Sequence, residues 1–232
     1  LIGGAEGRGE HTQVLSRLVE IARGGQARVA LLTAASRHPA EVGRAYRQAF
    51  GALGVERCHT VVVERREEAD DPRHAEALLQ AHMVFMSGGD QRRLMALVGG
   101  TRIERALHAA LHGRGACIAG TSAGAAAMSR QMLSDGQPGE GGAQGSGPPH
   151  EGARLSPGLG LLRHLVVDQH FTQRQRLGRL VAIVEQHPGL LGLGIDEDTA
   201  LHLRPGQGIE VVGSGAVTLV DAGRQHPLPA GL

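Results

Sequence analysis

The chain has 232 residues, 24 Lys plus Arg against 23 Asp plus Glu, and a formal net charge of +1. That balance offers no basic footprint for nucleic acid or an anionic membrane, so neither is expected as a partner. With no Trp, one Tyr and three Phe, base-stacking platforms are not expected, and the core must be built from Leu, Val, Ile and Ala.

The length suits one α/β domain spanning residues 1–232. Leu1-Ile2 reads as the end of a strand whose start is missing, which leaves open a removed upstream segment and a secreted form. Val14, Leu15, Leu18, Val19 and Ala22 recur at helical spacing until Gly24-Gly25. Arg28 to Thr33 is a continuous apolar strand, and Pro39 opens a helix to about Leu53. Val61-Val62-Val63 reads as a short strand, and Asp71-Pro72 starts a helix through Leu79. Met83 to Met86 is a buried strand, followed by Ser87-Gly88-Gly89-Asp90-Gln91 and two helical patterns, Arg92 to Val98 and Ile103 to Leu111.

The run Ala116 to Met128 is apolar, then Gly120-Thr121-Ser122-Ala123-Gly124, then small helix formers. It predicts a strand, a sharp turn and a helix, with Ser122 at the apex. Residues 134–156 are rich in Gly, Pro, Gln and Ser and lack hydrophobic period; they read as a mobile surface loop, or alternatively as a flap. Leu165 to His170 is a strand leading to a helix, with Thr172 and Gln175 at capping-box spacing and Leu177, Leu180, Val181 and Val184 as its buried stripe. Leu191 to Ile195 is a strand that delivers Asp196-Glu197-Asp198. From Thr199 onward, alternating Leu201, Leu203, Ile209, Val211, Val217 and Leu219 read as antiparallel edge strands. Unbroken apolar strands alternating with helices imply a mainly parallel sheet covered on both faces, with its site at the C-terminal strand ends.

Glycine fills 36 of 232 positions, so a G-x-S-x-G pentapeptide alone is weak. Its weight comes from Ser122, His170 and Glu197 all following predicted strands, which lets them converge on one rim. A serine hydroxyl needs a base within reach. His170 is the candidate base, and Glu197 the group that would hold its tautomer. The order Ser, His, acid differs from the α/β-hydrolase order. The Ala123 N–H at the helix start is placed for an oxyanion, while Gly88-Gly89 either adds N–H groups to it or simply ends a strand. Arg174, Arg176 and Arg179 are either a solvated face or a cluster that captures substrate carboxylates. No His pair has metalloprotease spacing, and there is no Cys-x-x-Cys or Walker-type loop, so neither a metal nor any other cofactor is expected. Two cysteines, Cys58 and Cys117, give no disulfide framework, which favours a reducing, cytoplasmic setting.

Five stretches then add up to a resemblance: Ile2-Gly3-Gly4-Ala5-Glu6, Ser87 to Gln91, Gly120 to Ala125, Asp168 to Leu180, and Gly194 to Leu201. In this order they resemble the cyanophycinase family of serine peptidases, relatives of aspartyl dipeptidases, with the block after Asp168 the most specific. The resemblance implies a flavodoxin-like fold similar to class I glutamine amidotransferases, and a homodimer. It implies a triad at Ser122, His170 and Glu197, and substrate contacts at Gln91, Asp168, Gln169, Arg174, Arg176 and Arg179. The implied substrate is cyanophycin, or another β-aspartyl peptide, and the implied product is β-aspartyl-arginine. Gln175 departs from the family pattern, where a small residue, usually Gly, is expected.

Overall fold

The computed structural model describes residues 1–9, 12–135, 153–204 and 206–223. Four parallel strands, β1 (Arg28–Leu32), β2 (Arg57–Val61), β3 (Met83–Met86) and β4 (Cys117–Gly120), lie in the order β2-β1-β3-β4. These are the first four places of the flavodoxin-like order. Alternation along β1 divides the core. Val29 and Leu31 face helices α1 (Gln13–Ile21) and α2 (Pro39–Ala52), where Leu15, Leu18, Phe50 and Phe85 pack. Ala30 and Leu32 face α3 (Pro72–Gln80), α4 (Gln91–Val98) and α5 (Arg102–Arg114), with Leu78, Leu94, Ile103 and Leu107. Helices on both faces leave every residue of β3 buried, the condition under which an unbroken apolar strand is stable.

Ile2 continues the structure beyond β4. It bridges Thr121 in parallel and Ala200 in antiparallel sense, and so stitches the parallel sheet to β9 (Thr199–Arg204), which forms a hairpin with β10 (Gly208–Gly213). A second sheet has the order β11-β8-β7, where β7 (Leu165–Gln169) and β8 (Leu191–Ile195) are parallel and β11 (Val217–Val220) is antiparallel to β8. Helix α7 (Leu177–Gln186) connects β7 to β8 and buries Leu180, Ile183 and Val184. The fold class read from the sequence therefore holds. No helix among the described residues is long and apolar enough to cross a membrane.

Four local readings are corrected. β2 ends at Val61 rather than starting there, and Val63 is a buried residue just past the strand. Thr172 caps no helix, because its N–H and hydroxyl both donate to Asp196 Oδ1, at 3.0 and 2.8 Å. Helix α7 begins only at Leu177, which is 53% exposed rather than part of the buried stripe. The ends of the Gly/Pro-rich stretch are not loop. β5 (Gln131–Asp135) pairs antiparallel with β6 (Ala153–Pro157). The rest of that stretch, 136–152, lies outside the described residues.

Candidate active site

Ser122 sits between β4 and α6 (Ala123–Ala126) at φ 50° and ψ −113°. A non-glycine residue there is strained and must be held by its neighbours. The turn is tight enough that a Cβ on Gly120 would lie 2.5 Å from the carbonyl carbon of Gly124, and one on Gly124 would lie 2.4 Å from the Met86 carbonyl oxygen. Both glycines are therefore required for the chain to fold back on itself, and the fold-back pushes Ser122 outward at the apex.

His170 leaves β7 and Glu197 leaves β8, neighbouring parallel strands whose C-terminal ends point the same way. The structure brings the three side chains together. Ser122 Oγ lies 2.9 Å from His170 Nε2, and His170 Nδ1 lies 2.6 Å from Glu197 Oε1. With Nδ1–H donating to the carboxylate, Nε2 carries a lone pair aimed at the serine hydroxyl. The imidazole side chain is 12% exposed and the carboxylate 37%, so the base is largely shielded while the acid stays partly open to solvent. The Glu197 N–H donates to Gln173 Oε1, fixing the acid's turn to the segment after His170.

A feature invisible in the sequence joins the three. Consecutive carbonyls of the N-terminal segment accept one hydrogen bond each: Ile2 from Ser122 N–H (3.0 Å), Gly3 from His170 N–H (2.8 Å) and Gly4 from Asp198 N–H (2.8 Å). One short stretch of backbone thus sets the spacing of all three chain segments. Gly4 lies directly under the imidazole, where a Cβ would meet His170 Cε1 at 2.4 Å. The sequence signalled this segment only as the stretch Ile2-Gly3-Gly4-Ala5-Glu6 of the family resemblance, with its glycine doublet after a strand end, and gave no role for its carbonyls.

Gly88 lies beside the serine; a Cβ on it would be 3.4 Å from Ser122 Cβ. Among the described residues none accepts a hydrogen bond from the N–H of Gly88 or Ala123, so both donors remain for an oxygen bound near Ser122 Oγ. At Gly89, φ 143° and the Ala35 carbonyl oxygen 2.2 Å from where a Cβ would sit require a glycine, and among the described residues none accepts a hydrogen bond from its N–H either. The following Asp90 caps α4 by accepting from Arg92 N–H at 2.8 Å.

The remaining site candidates divide. Asp168 is fully buried and accepts from Arg176 Nη1 at 3.2 Å and from Arg179 Nε at 2.6 Å, with a second, Nη2 bond from Arg179. Arg176, itself buried, also donates to the Gln169 carbonyl at 2.6 Å and to the Gln169 side chain. Charges taken out of water are stable only when paired and hydrogen-bonded, and these bonds pair the buried carboxylate with both guanidinium groups. Gln91 Nε2 donates to the Leu133 carbonyl at 3.0 Å, tying α4 to β5. Arg174 is the exposed member of the three arginines, and its backbone N–H closes a turn onto the His170 carbonyl at 3.0 Å.

Burial pushes the Asp196 carboxyl up, but the N–H and hydroxyl of Thr172 and the Ala216 N–H outweigh it and hold the group below the usual carboxylate range. The thiols offer no rival nucleophile: burial pushes Cys58 to about 11 and Cys117 upward as well. Among the described residues no cluster of three His, Cys, Asp or Glu could hold a metal ion.

Comparison with known proteins places the chain in a family. The model of peptidase family S51 matches residues 1–211. A cyanophycinase of Trichormus variabilis is 35% identical over 221 residues, which are 95% of this chain and 72% of that protein. A cyanophycinase of Geminocystis herdmanii is also 35% identical over 95% of this chain and 79% of its own length. The crystal structure of a peptidase from an acI-B1 Actinobacterium superposes with a TM-score of 0.71 at 23% identity, covering 96% of this chain and 93% of that one, which shows the same fold. On these matches, the chain belongs to peptidase family S51 and is a serine-type peptidase.

Proposed function

We propose that this peptidase is an exopeptidase that hydrolyses cyanophycin, multi-L-arginyl-poly-L-aspartate, to β-aspartyl-arginine through an acyl-enzyme on Ser122. The observation that carries the mechanism is the hydrogen-bonded chain Ser122 Oγ–His170 Nε2 at 2.9 Å and His170 Nδ1–Glu197 Oε1 at 2.6 Å. Ser122 Oγ attacks the scissile carbonyl as its proton passes to Nε2. Glu197 holds Nδ1–H and offsets the imidazolium charge. The carbonyl oxygen becomes an oxyanion that accepts from the N–H groups of Ala123 and Gly88. When the tetrahedral intermediate collapses, the C–N bond breaks and the amine leaves with the imidazolium proton. Water then attacks the ester carbonyl as it gives up one proton to His170; when this second tetrahedral intermediate collapses, the ester C–O bond breaks and the Ser122 oxygen takes that proton from the imidazolium, which frees the acid product and restores the hydroxyl.

The substrate assignment rests on the likeness to cyanophycinases and on Arg174, an exposed cation four residues after His170, suited to a backbone aspartyl carboxylate. A second reading, a dipeptidase for other aspartyl peptides, is favoured by Arg176 and Arg179 being engaged with Asp168, which leaves fewer cations to hold a long polyanion. The purified protein, offered cyanophycin and free aspartyl dipeptides side by side, decides between them. Release of β-aspartyl-arginine, reduced roughly 10⁴–10⁶-fold by Ser122→Ala, is the expected result. Turnover of dipeptides with intact polymer would select the second reading.

A further inference from the structure

Glu6 is 4% exposed, yet no cation pairs with its carboxylate among the described residues. Its two oxygens are taken by hydroxyls instead. Thr121 Oγ1 donates to Oε2 at 2.5 Å, and the Tyr46 phenol donates to Oε1. The phenol is a dependable donor, since burial and the neighbouring Glu6 push its ionisation far above its ordinary range. The Arg8 guanidinium closes the cluster from outside, 5.1 Å over the Tyr46 ring. A buried acid that the reaction does not use calls for an explanation, because burying a carboxylate is costly.

Its position supplies one. Glu6 ends the segment whose Ile2, Gly3 and Gly4 carbonyls hold the backbones of Ser122, His170 and Asp198. Ala5 is held at φ 50°, a strained state for a residue with a Cβ, so the segment needs an anchor to keep its path. Thr121, which the Glu6 side chain grips, immediately precedes Ser122. Its N–H is fixed to the Met86 carbonyl at 3.0 Å. Glu6 therefore ties the segment carrying the imidazole's support to the turn carrying the serine. We infer that Glu6, acting through Thr121 and Tyr46, is a positioning residue that sets the Ser122–His170 alignment, an inference that rests on the triad reading above. It touches no reacting atom.

The test compares Glu6→Ala, Glu6→Gln and Tyr46→Phe with Leu18→Ala, a core truncation on α1 that serves as a stability control. Three quantities are read. These are kcat and KM on cyanophycin per titrated active site, the rate of labelling by an alkyl fluorophosphonate, and the far-downfield imidazole proton of His170 by NMR. Misplacement of reacting groups by about 1 Å can cost 10²-fold, so Glu6→Ala is expected to lower kcat and the labelling rate together by about 10–100-fold, with KM within twofold. The imidazole resonance should shift or broaden. Glu6→Gln, which keeps the volume and can still bond both hydroxyls, should recover most of the loss. Tyr46→Phe removes one hydroxyl without emptying the core, and keeps the test decisive should Glu6→Ala fold poorly; it should show a smaller loss of the same kind. Variants that behave like Leu18→Ala, with a lower melting temperature but undiminished kcat and labelling, would overturn the assignment. So would a change confined to KM. If the wild type is labelled yet leaves cyanophycin intact, the substrate reading fails, and the labelling rates and the imidazole resonance still decide the role of Glu6.

Discussion

Ser122 holds φ 50° and ψ −113°, a backbone state that an L-residue reaches only when its surroundings fix it. The fixing is done by single residues lacking a Cβ. Gly120 and Gly124 allow the turn to close, and Gly4 allows the imidazole of His170 to approach the main chain closely. The same reasoning predicts the effect of the smallest possible change. Gly4→Ala places a methyl 2.4 Å from His170 Cε1, at a φ of 103° that alanine resists. The ring must move, so kcat should fall by about 10²-fold while KM changes little. Steady-state kinetics per titrated serine measures this, and an alanine variant with normal kcat would mean that the ring has a second supported position.

The segment between β7 and α7 shows how an element departs from its local pattern. Thr172 and Gln175 have capping-box spacing, but Asp196 takes the threonine donors and the helix waits until Leu177. Gln175 then lies in the left-handed region at φ 51°, which gives a reason for the glycine expected there from the family pattern. The left-handed state costs a non-glycine residue about 1–2 kcal/mol, partly offset because glycine loses more freedom on folding. Gln175→Gly should therefore raise stability by about 0.5–1 kcal/mol, a gain of about 1–4 °C in melting temperature for a chain this size. Thermal unfolding checks it; a lowered melting temperature would show that the exposed Gln175 side chain makes compensating contacts. The arginines of this element were legible as a charge cluster beside the histidine. Their division was not, because it depends on Asp168 emerging from β7 fully buried, so that Arg176 and Arg179 turn inward to it while Arg174 stays outside.

At the scale of the whole molecule, Asp196 joins pieces distant in sequence: it accepts from Thr172 after β7 and from Ala216 before β11. Its carboxyl is held below the usual range despite burial. A depressed folded pKa means that the carboxylate stabilises the fold above the unfolded value, about 4, and loses that contribution as pH falls through the folded value. Asp196→Asn should thus be less stable than wild type at pH 7, with the deficit shrinking below about pH 4. Urea unfolding at both pH values measures it, and a deficit independent of pH would assign the loss to packing instead. The sequence by itself determined the α/β alternation, the two-faced burial of β1 and β3, and the presence of Ser122, His170 and Glu197 at strand ends, because periodicity and glycine turns are properties of neighbouring residues. It could not determine that Ile2, Gly3 and Gly4 supply carbonyls to three segments more than a hundred residues downstream, nor that Glu6 reaches Thr121 and Tyr46. Those contacts exist only once the parallel sheet has closed, since hydrogen-bond partners of such separation are chosen by topology and packing rather than by local pattern.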